Sequence, residues 1–490
     1  MPVALILFEL QHTERYVVQL DTMQNSKDLA DKIQAISGQI QEVIARKDRV
    51  DNEQDLEKLE QEVQLLTRTL GDAIVAKKVQ QHIDEDEVFH TQTLEFVHGI
   101  RKALVNKGRV LIHVTFAGGT TLPLSAVYWA RKGGAGRRGK GVYPELYLLG
   151  IHDHCTPFLA SEIAQASAAL CSLEEARHMM ASRGCLLNIK TVSNITKRFA
   201  ARARLGQKAE QVIEVLRAED LKGRRVVLSS DGGRLRVRSA KQGRQTKKKR
   251  ARYRTDWREP KLLIIYVVND DGRVDRKILP LIDGTLKGPD SLLALLLSYL
   301  RSLNLSAVDQ ILFVADGAPW IWESVQLARA MLKMVGMNYK IIELIDFYHA
   351  VQHLHAFAEL KRQWSGKKRK QWVSRQKRLL KQGKKDEVIR NLQIASKGSK
   401  SKLLQREQMY FVKNRERLSY KEVAALKMPI GSGAMESAVR RVINLRLKSP
   451  CIFWKEESAE EMLLLRAYYK SGRWNLLKKM AYHGGLLNAA

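Results

Sequence analysis

Three acidic stretches could do chemistry together. Asp231-Gly232-Gly233-Arg234 follows the apolar run Arg225-Val-Val-Leu-Ser-Ser230, and Asp316-Gly317-Ala318 follows Gln310-Ile-Leu-Phe-Val-Ala315. Both runs read as strands. Carboxylates at the ends of neighbouring strands can share hard divalent cations, and oxygen ligands suit magnesium or manganese. Two such ions acting together can break a phosphodiester. A single D-G after a strand is no more than a turn. A third carboxylate stands in Met428-Pro-Ile-Gly-Ser-Gly-Ala-Met-Glu436. Ser432 can cap a helix that starts near Gly433, with Glu436 in its first turn and Arg440 one turn on, facing the same way towards a phosphate. The plainer role for Glu436 is to complement the helix dipole.

These residues need a scaffold. Strands are expected at 225–230, 261–268, 276–282, 310–315 and 339–345, with helices at about 291–303 and 320–335. The order β-β-β-α-β-α-β is that of the ribonuclease H fold, in which the first and fourth strands lie side by side. Asp231 and Asp316 are 316 − 231 = 85 residues apart, and Asp316 and Glu436 are 436 − 316 = 120 apart. The second gap leaves room for an inserted helical domain. Residues 361–402 supply 16 Lys/Arg against Asp386 and Glu387, with Trp364 and Trp372 interleaved, a composition able to follow phosphates and stack on an unpaired base. The plain alternative is a solvated helix whose tryptophans pack.

The chain resembles the DDE/D transposases of bacterial insertion sequences, most closely the ISKra type. The matching residues are D-G-G-R at 231–234, V-A-D-G-A-x-W-I-W at 314–322, D-F-Y-H-A at 346–350 and G-S-G-A-M-E-S-A-x-R-R-V-I-N-L-R at 431–446. The resemblance is strong over about 220–470. It implies a ribonuclease H-like core, an acidic triad of Asp231, Asp316 and Glu436 holding two magnesium or manganese ions, and cleavage and joining of DNA. Asp346 and His349 form a second motif, and Arg234, Arg440, Arg441 and Arg446 are expected to meet DNA. Where some other transposases place Lys or Arg seven residues after the glutamate, this chain has Ile443. A structure-selective nuclease on the same fold and a DNA-binding scaffold without catalysis are the alternatives.

The rest of the chain fits a polyanion partner. Of 490 residues, 84 are Lys or Arg and 52 Asp or Glu, a net charge of +32, while 45% are hydrophobic, enough for folded cores. Lys241–Arg254 holds eight Lys/Arg and no acid, Lys247, Lys248 and Arg250 among them, and reads as a disordered loop that DNA would order. Residues 156–204 read as short helices with helix-turn-helix grammar, the last carrying Lys190, Lys197 and Arg198. An apolar stripe from Leu29 to Ile74, with weak points at Ser37-Gly38 and Asp51-Asn52, predicts either a dimerising coiled coil or an intramolecular hairpin. Four cysteines without a C-x-x-C pair argue against a zinc ribbon or a disulfide framework, and His152-Asp153-His154-Cys155 reads as a loop. The longest apolar run is too short to span a bilayer, and Met1–Leu10 lacks a basic leader. A cytoplasmic, nucleoid-associated dimer or higher oligomer acting on double-stranded DNA follows. The expected divisions are 1–106 helical, 107–150 a small β segment with a basic Gly-rich loop, 151–206 helix-turn-helix-like, 220–361 and 428–470 the mixed α/β core, 362–427 the helical insertion, and 471–490 a tail.

Overall fold

The computed structural model describes residues 29–46, 49–100, 104–131, 141–208, 216, 218–241, 243–247, 249, 252–303, 305–448 and 452–487. The chain forms two compact units, residues 1–209 with 478–490 and residues 210–477.

In the first unit, α1 (Leu29–Ala45) folds against α2 (Glu53–Glu85), so the apolar stripe closes as a hairpin within one chain. The break falls at Asp51-Asn52, where Asn52 accepts a hydrogen bond from the Asp55 amide at 3.0 Å. Ser37-Gly38 lies inside α1 instead of breaking it. The buried side of α2 runs through Ala73, Ala76 and Ile83, whereas Leu59, Val63 and Ile74 of the expected stripe are exposed. Helix α3 (Glu87–Gly99) leads into an antiparallel pair, β1 (Leu104–Thr115) and β2 (Thr121–Arg131), so a strand starts inside the segment expected to be wholly helical. Buried Asp72 fixes the turn between them, accepting from the Gly118 and Thr120 amides at 2.8 and 3.0 Å. Four helices follow: α4 (Pro144–Leu148), α5 (Pro157–Ala169), α6 (Leu173–Ala181) and α7 (Ile189–Lys208). Ser172 caps α6 by accepting from the Glu175 amide, and the Glu175 carboxylate returns to the Cys171 amide. Of the basic Gly-rich loop, residues 132–140 lie outside the described residues.

The second unit is mixed α/β. After α8 (Ala218–Leu221) come β3 (Arg225–Gly232), β4 (Leu235–Ala240), β5 (Tyr253–Arg258), β6 (Lys261–Val268) and β7 (Leu281–Thr285). Then α9 (Pro289–Ser302), β8 (Gln310–Ala315), α10 (Pro319–Met334) and β9 (Ile341–Ile345) alternate. Five strands make one sheet in the order β7-β6-β3-β8-β9. β3 is central, antiparallel to β6 and parallel to β8, and β8 is parallel to β9. Every residue of β6, Lys-Leu-Leu-Ile-Ile-Tyr-Val-Val, is buried, as suits a strand covered on both faces.

The third sheet strand begins at Leu281, five residues later than expected. Residues 269–280 are taken up by a turn and by the loop that ends at Pro280. The larger correction concerns the basic segment after Asp231. β4 and β5 pair as a hairpin in their own two-stranded sheet, with Leu235 and Val237 burying one face of β4; residues 242, 248, 250 and 251 between them lie outside the described residues.

The helical insertion is α11 (Phe347–Leu360), α12 (Gly366–Lys381), α13 (Lys385–Ser396), α14 (Lys402–Lys413) and α15 (Tyr420–Ala425). α16 (Gly433–Val439) runs into a π turn over Arg440–Asn444, and α17 (Glu456–Lys470) packs on β7. The expected tail is instead helix α18 (Trp474–Leu487). Among the described residues no helix is long and apolar enough to cross a membrane.

Candidate active site

The β3–β8 register places the first two acids. Arg225 pairs with Gln310 and Leu228 with Phe313, an offset of 310 − 225 = 85. The pairing runs to Leu228 and Phe313; beyond it Asp231 lies near the end of β3 and Asp316 directly follows β8, at the same edge of the sheet. Parallel neighbours lie about 4.8 Å apart, so the carboxylates share one strand-end edge. The Asp231 carboxyl is pushed up to about 6, first by burial and then by the negative charges of Asp316 and Glu259, against the opposing pull of the Gly232 amide and His349. Asp231 Oδ1 accepts from that amide at 2.6 Å. Asp316 Oδ1 accepts from the Ala318 amide at 3.0 Å, and Trp322 Nε1 donates to the Asp316 carbonyl at 2.9 Å. The turn after β8 is thereby fixed before Pro319 opens α10.

The glycines beside these acids admit close neighbours. A Cβ on Gly317 would stand 2.2 Å from the Tyr410 ring, and one on Gly233 would stand 2.7 Å from Ile443 Cδ1. Ile443 is fully buried, so this position is a packing contact between the D-G-G turn and the π turn.

Glu436 lies in the first turn of α16, which packs on β3 and β6, and its side chain is exposed. Among the described residues no three His, Cys, Asp or Glu side chains gather closely enough to hold one metal ion. Of the three expected acids, Asp231 and Asp316 interact electrostatically, and the three do not gather into one metal-holding group.

Asp346 is 2% exposed, and both of its oxygens are engaged. Oδ1 accepts from the His349 amide at 2.7 Å, capping α11, and Oδ2 accepts from the amide and hydroxyl of Ser432. The Ser432 hydroxyl thus points back to Asp346 and does not cap α16 as expected. Phe347 N also donates to Ile430 O at 3.0 Å. Asp346 is a clamp between the end of β9 and the start of the Glu436 helix.

His349, half-buried near Asp231, meets His353 edge-on at 5.2 Å. His353 stacks on Tyr410 at 3.7 Å and hydrogen-bonds buried Glu407 at 2.5 Å. The Tyr410 phenol is held well above its ordinary range by burial and by Asp316, Asp346 and Glu407, and its hydroxyl has no hydrogen-bond partner. Sequence reasoning missed His353, Glu407 and Tyr410. Only His353 carried a signal, lying one helical turn after His349.

A cleft of about 370 Å³ opens beside the strand end, lined by Gly232, Gly233, Arg234, Glu259, Val439, Asn444 and Lys448. Arg234 and Arg440 are exposed. Arg441 is half-buried and donates to the Lys470 carbonyl at 3.2 Å. Arg446 does not meet the expectation of a DNA contact: it is 3% exposed and its guanidinium lies over Trp454 at 5.2 Å. Arg466 secures the π turn, donating to Val442 O at 2.9 Å and to Arg441 O.

No family model, curated protein or solved structure matches this chain.

In the insertion, Trp372 stacks on Phe357 at 5.4 Å, and Trp364 is tilted against it at the same distance. Both tryptophans are half-buried, and Lys361 and Lys368 lie over the Trp364 ring. Lys247 is exposed, while Lys248 and Arg250 lie outside the described residues.

In the first unit, Lys190 is exposed, Lys197 is half-buried, and exposed Arg198 pairs with Asp153. His152, in the loop before α5, is pushed down to about 4 by burial and by the charges of Arg202 and Arg198.

Proposed function

We propose that the chain is a DNA transposase of the DDE type, cutting and joining phosphodiesters at the Asp231–Asp316 edge of a ribonuclease H-like sheet. One observation carries this reading: Asp231 near the end of β3 and Asp316 just past the end of its parallel neighbour β8 feel each other, the charge of Asp316 raising Asp231. The strand order, the helical insertion before Glu436 and the net charge of +32 agree with it.

The donor set fits a hard divalent cation in part. Asp231 and Asp316 would hold magnesium or manganese, which would relieve their repulsion; Glu436 adds no third ligand in this arrangement. When bound, the ion supplies Lewis-acid stabilisation of charge on phosphate oxygens. The chain's own residues do the rest. Arg234 and Lys448 line the cleft with positive charge that can seat a phosphodiester next to Asp231. Asp346, through Ser432, sets where α16 begins. His349 favours the ionised form of Asp231.

The test is strand joining. Purified protein is incubated with magnesium, a labelled duplex carrying the DNA that flanks its gene, and a target plasmid. Joined products support the reading. Cleavage without joining replaces it with a nuclease, and DNA binding without either reaction replaces it with a scaffold.

A further inference from the structure

The β4–β5 hairpin begins four residues after Asp231, and its two faces differ. The register pairs Arg236 with Trp257, Arg238 with Thr255 and Ala240 with Tyr253. Side chains alternate along a strand, so these six share one face. Leu235 and Val237 lie on the other face and are buried. The hairpin's acid, Asp256, is also on that other face, tied to Arg258 at 2.7 Å. What remains is a basic and aromatic face. Trp257 is 54% exposed and Tyr253 49% exposed. The Arg236 guanidinium lies 4.6 Å from the Phe453 ring centre and 5.9 Å from that of Trp257, and Arg238 lies 5.9 Å from that of Tyr253.

This face is held in place. Residues around Trp454 run alongside β4, with Arg238 N donating to Trp454 O at 2.8 Å and Trp454 N to Arg236 O at 3.0 Å. Trp454 Nε1 is anchored on Leu447 O at 3.0 Å. Large rings kept in water on a braced surface, interleaved with arginines, make a poor protein core and a good platform for unstacked bases.

We propose that the Arg236, Arg238, Tyr253 and Trp257 face of this hairpin holds unpaired, single-stranded DNA leaving the Asp231 edge. Trp257 and Tyr253 stack on bases, and Arg236 and Arg238 follow the phosphates. Charge complementarity supports this occupant, because the sequence from Lys241 to Arg254, which links β4 to β5, holds eight cations and no acid. The commitment to DNA, as opposed to another polyanion, rests on the function proposed above.

The experiment measures binding alone. The full chain, in EDTA, is titrated into fluorescein-labelled oligothymidylate and, separately, into a labelled duplex. Trp257→Ala should weaken oligothymidylate binding roughly tenfold, the loss expected of one stacked base, with duplex binding unchanged and Trp257→Phe restoring most of the affinity. Unchanged thermal unfolding of the alanine variant shows that its fold is intact. Wild-type oligothymidylate affinity in Trp257→Ala, or equal loss on duplex, overturns the proposal. Tighter binding of oligouridylate than of oligothymidylate overturns its assignment to DNA. Since EDTA excludes cleavage, failure of the joining reaction would leave this result intact, and the reverse also holds.

Discussion

The buried carboxylate of Asp346 accepts hydrogen bonds from both the backbone amide and the hydroxyl of Ser432, 86 residues further along the chain. With its other oxygen it caps α11. One side chain therefore ties the end of β9, the start of the insertion and the start of the Glu436 helix to a single point. Asp346→Asn turns an NH₂ towards the Ser432 amide, donor against donor. The expected cost is about 2–3 kcal/mol, since a buried charge-assisted pair is lost and a donor is stranded. Ser432→Ala removes one of the two bonds and should cost about 1 kcal/mol. Urea denaturation of both variants checks the order; equal and negligible effects would show that the clamp is not formed.

Asp231 and Asp316 predict a pH dependence. The native carboxyl of Asp231 titrates at about 6, above an unfolded value near 3.9, so the folded chain holds its proton more tightly. The stability contributed by this group is full below the unfolded value and declines as pH rises through about 6. Asp316→Asn removes one cause of the rise and should lower the Asp231 value and flatten that slope. Carbon-13 titration of the aspartate carboxyls, with denaturation midpoints across the same pH range, checks both. An Asp231 titration unmoved by Asp316→Asn would contradict the pairing.

Tyr410 offers a test with an unusual sign. Its hydroxyl is buried without a partner, so Tyr410→Phe removes a desolvated group and keeps the ring on His353. Stability should hold or rise by up to about 1 kcal/mol. A loss beyond that, measured by thermal unfolding, would mean that the hydroxyl has a partner in solution. Gly317→Ala should instead cost about 1–3 kcal/mol, because its Cβ would displace that same ring.

Arg466 is 2% exposed and satisfies two carbonyls of the π turn, Arg441 O and Val442 O. Arg466→Met keeps the apolar stem but strands both acceptors, at an expected cost of about 2–4 kcal/mol. Hydrogen exchange of amides 440–446 should rise more than that of β3, and uniform exchange would place the damage elsewhere.

β3, β8 and the two aspartates were legible because both strands are short apolar runs that lead into D-G, and the 85-residue spacing equals the register offset between them. The β4–β5 hairpin was hidden by charge: seven of its twelve strand residues are Arg, Asp, Ser or Thr, and only Leu235 and Val237 mark a buried face. Arg446 misled because type alone does not separate an arginine buried over a ring from one facing solvent. The Asp346–Ser432 clamp and the His353–Glu407 pair join residues far apart in the chain, and neither has a local pattern to announce it. In the first unit periodicity found α1 and α2, but small Ala73 and Ala76, not Leu59 and Val63, proved to be the contact side, since alanines let the backbones approach.

The most direct measurement is magnesium-dependent scission of a labelled duplex carrying the flanking DNA, with wild type, Asp231→Asn and Asp316→Asn compared at equal concentration. The account predicts cleavage by the wild type with magnesium, none in EDTA, and a loss of at least about a thousandfold in each variant, as expected when a charge-stabilising group is removed from a phosphoryl-transfer site. Cleavage by either variant at the wild-type rate would contradict it.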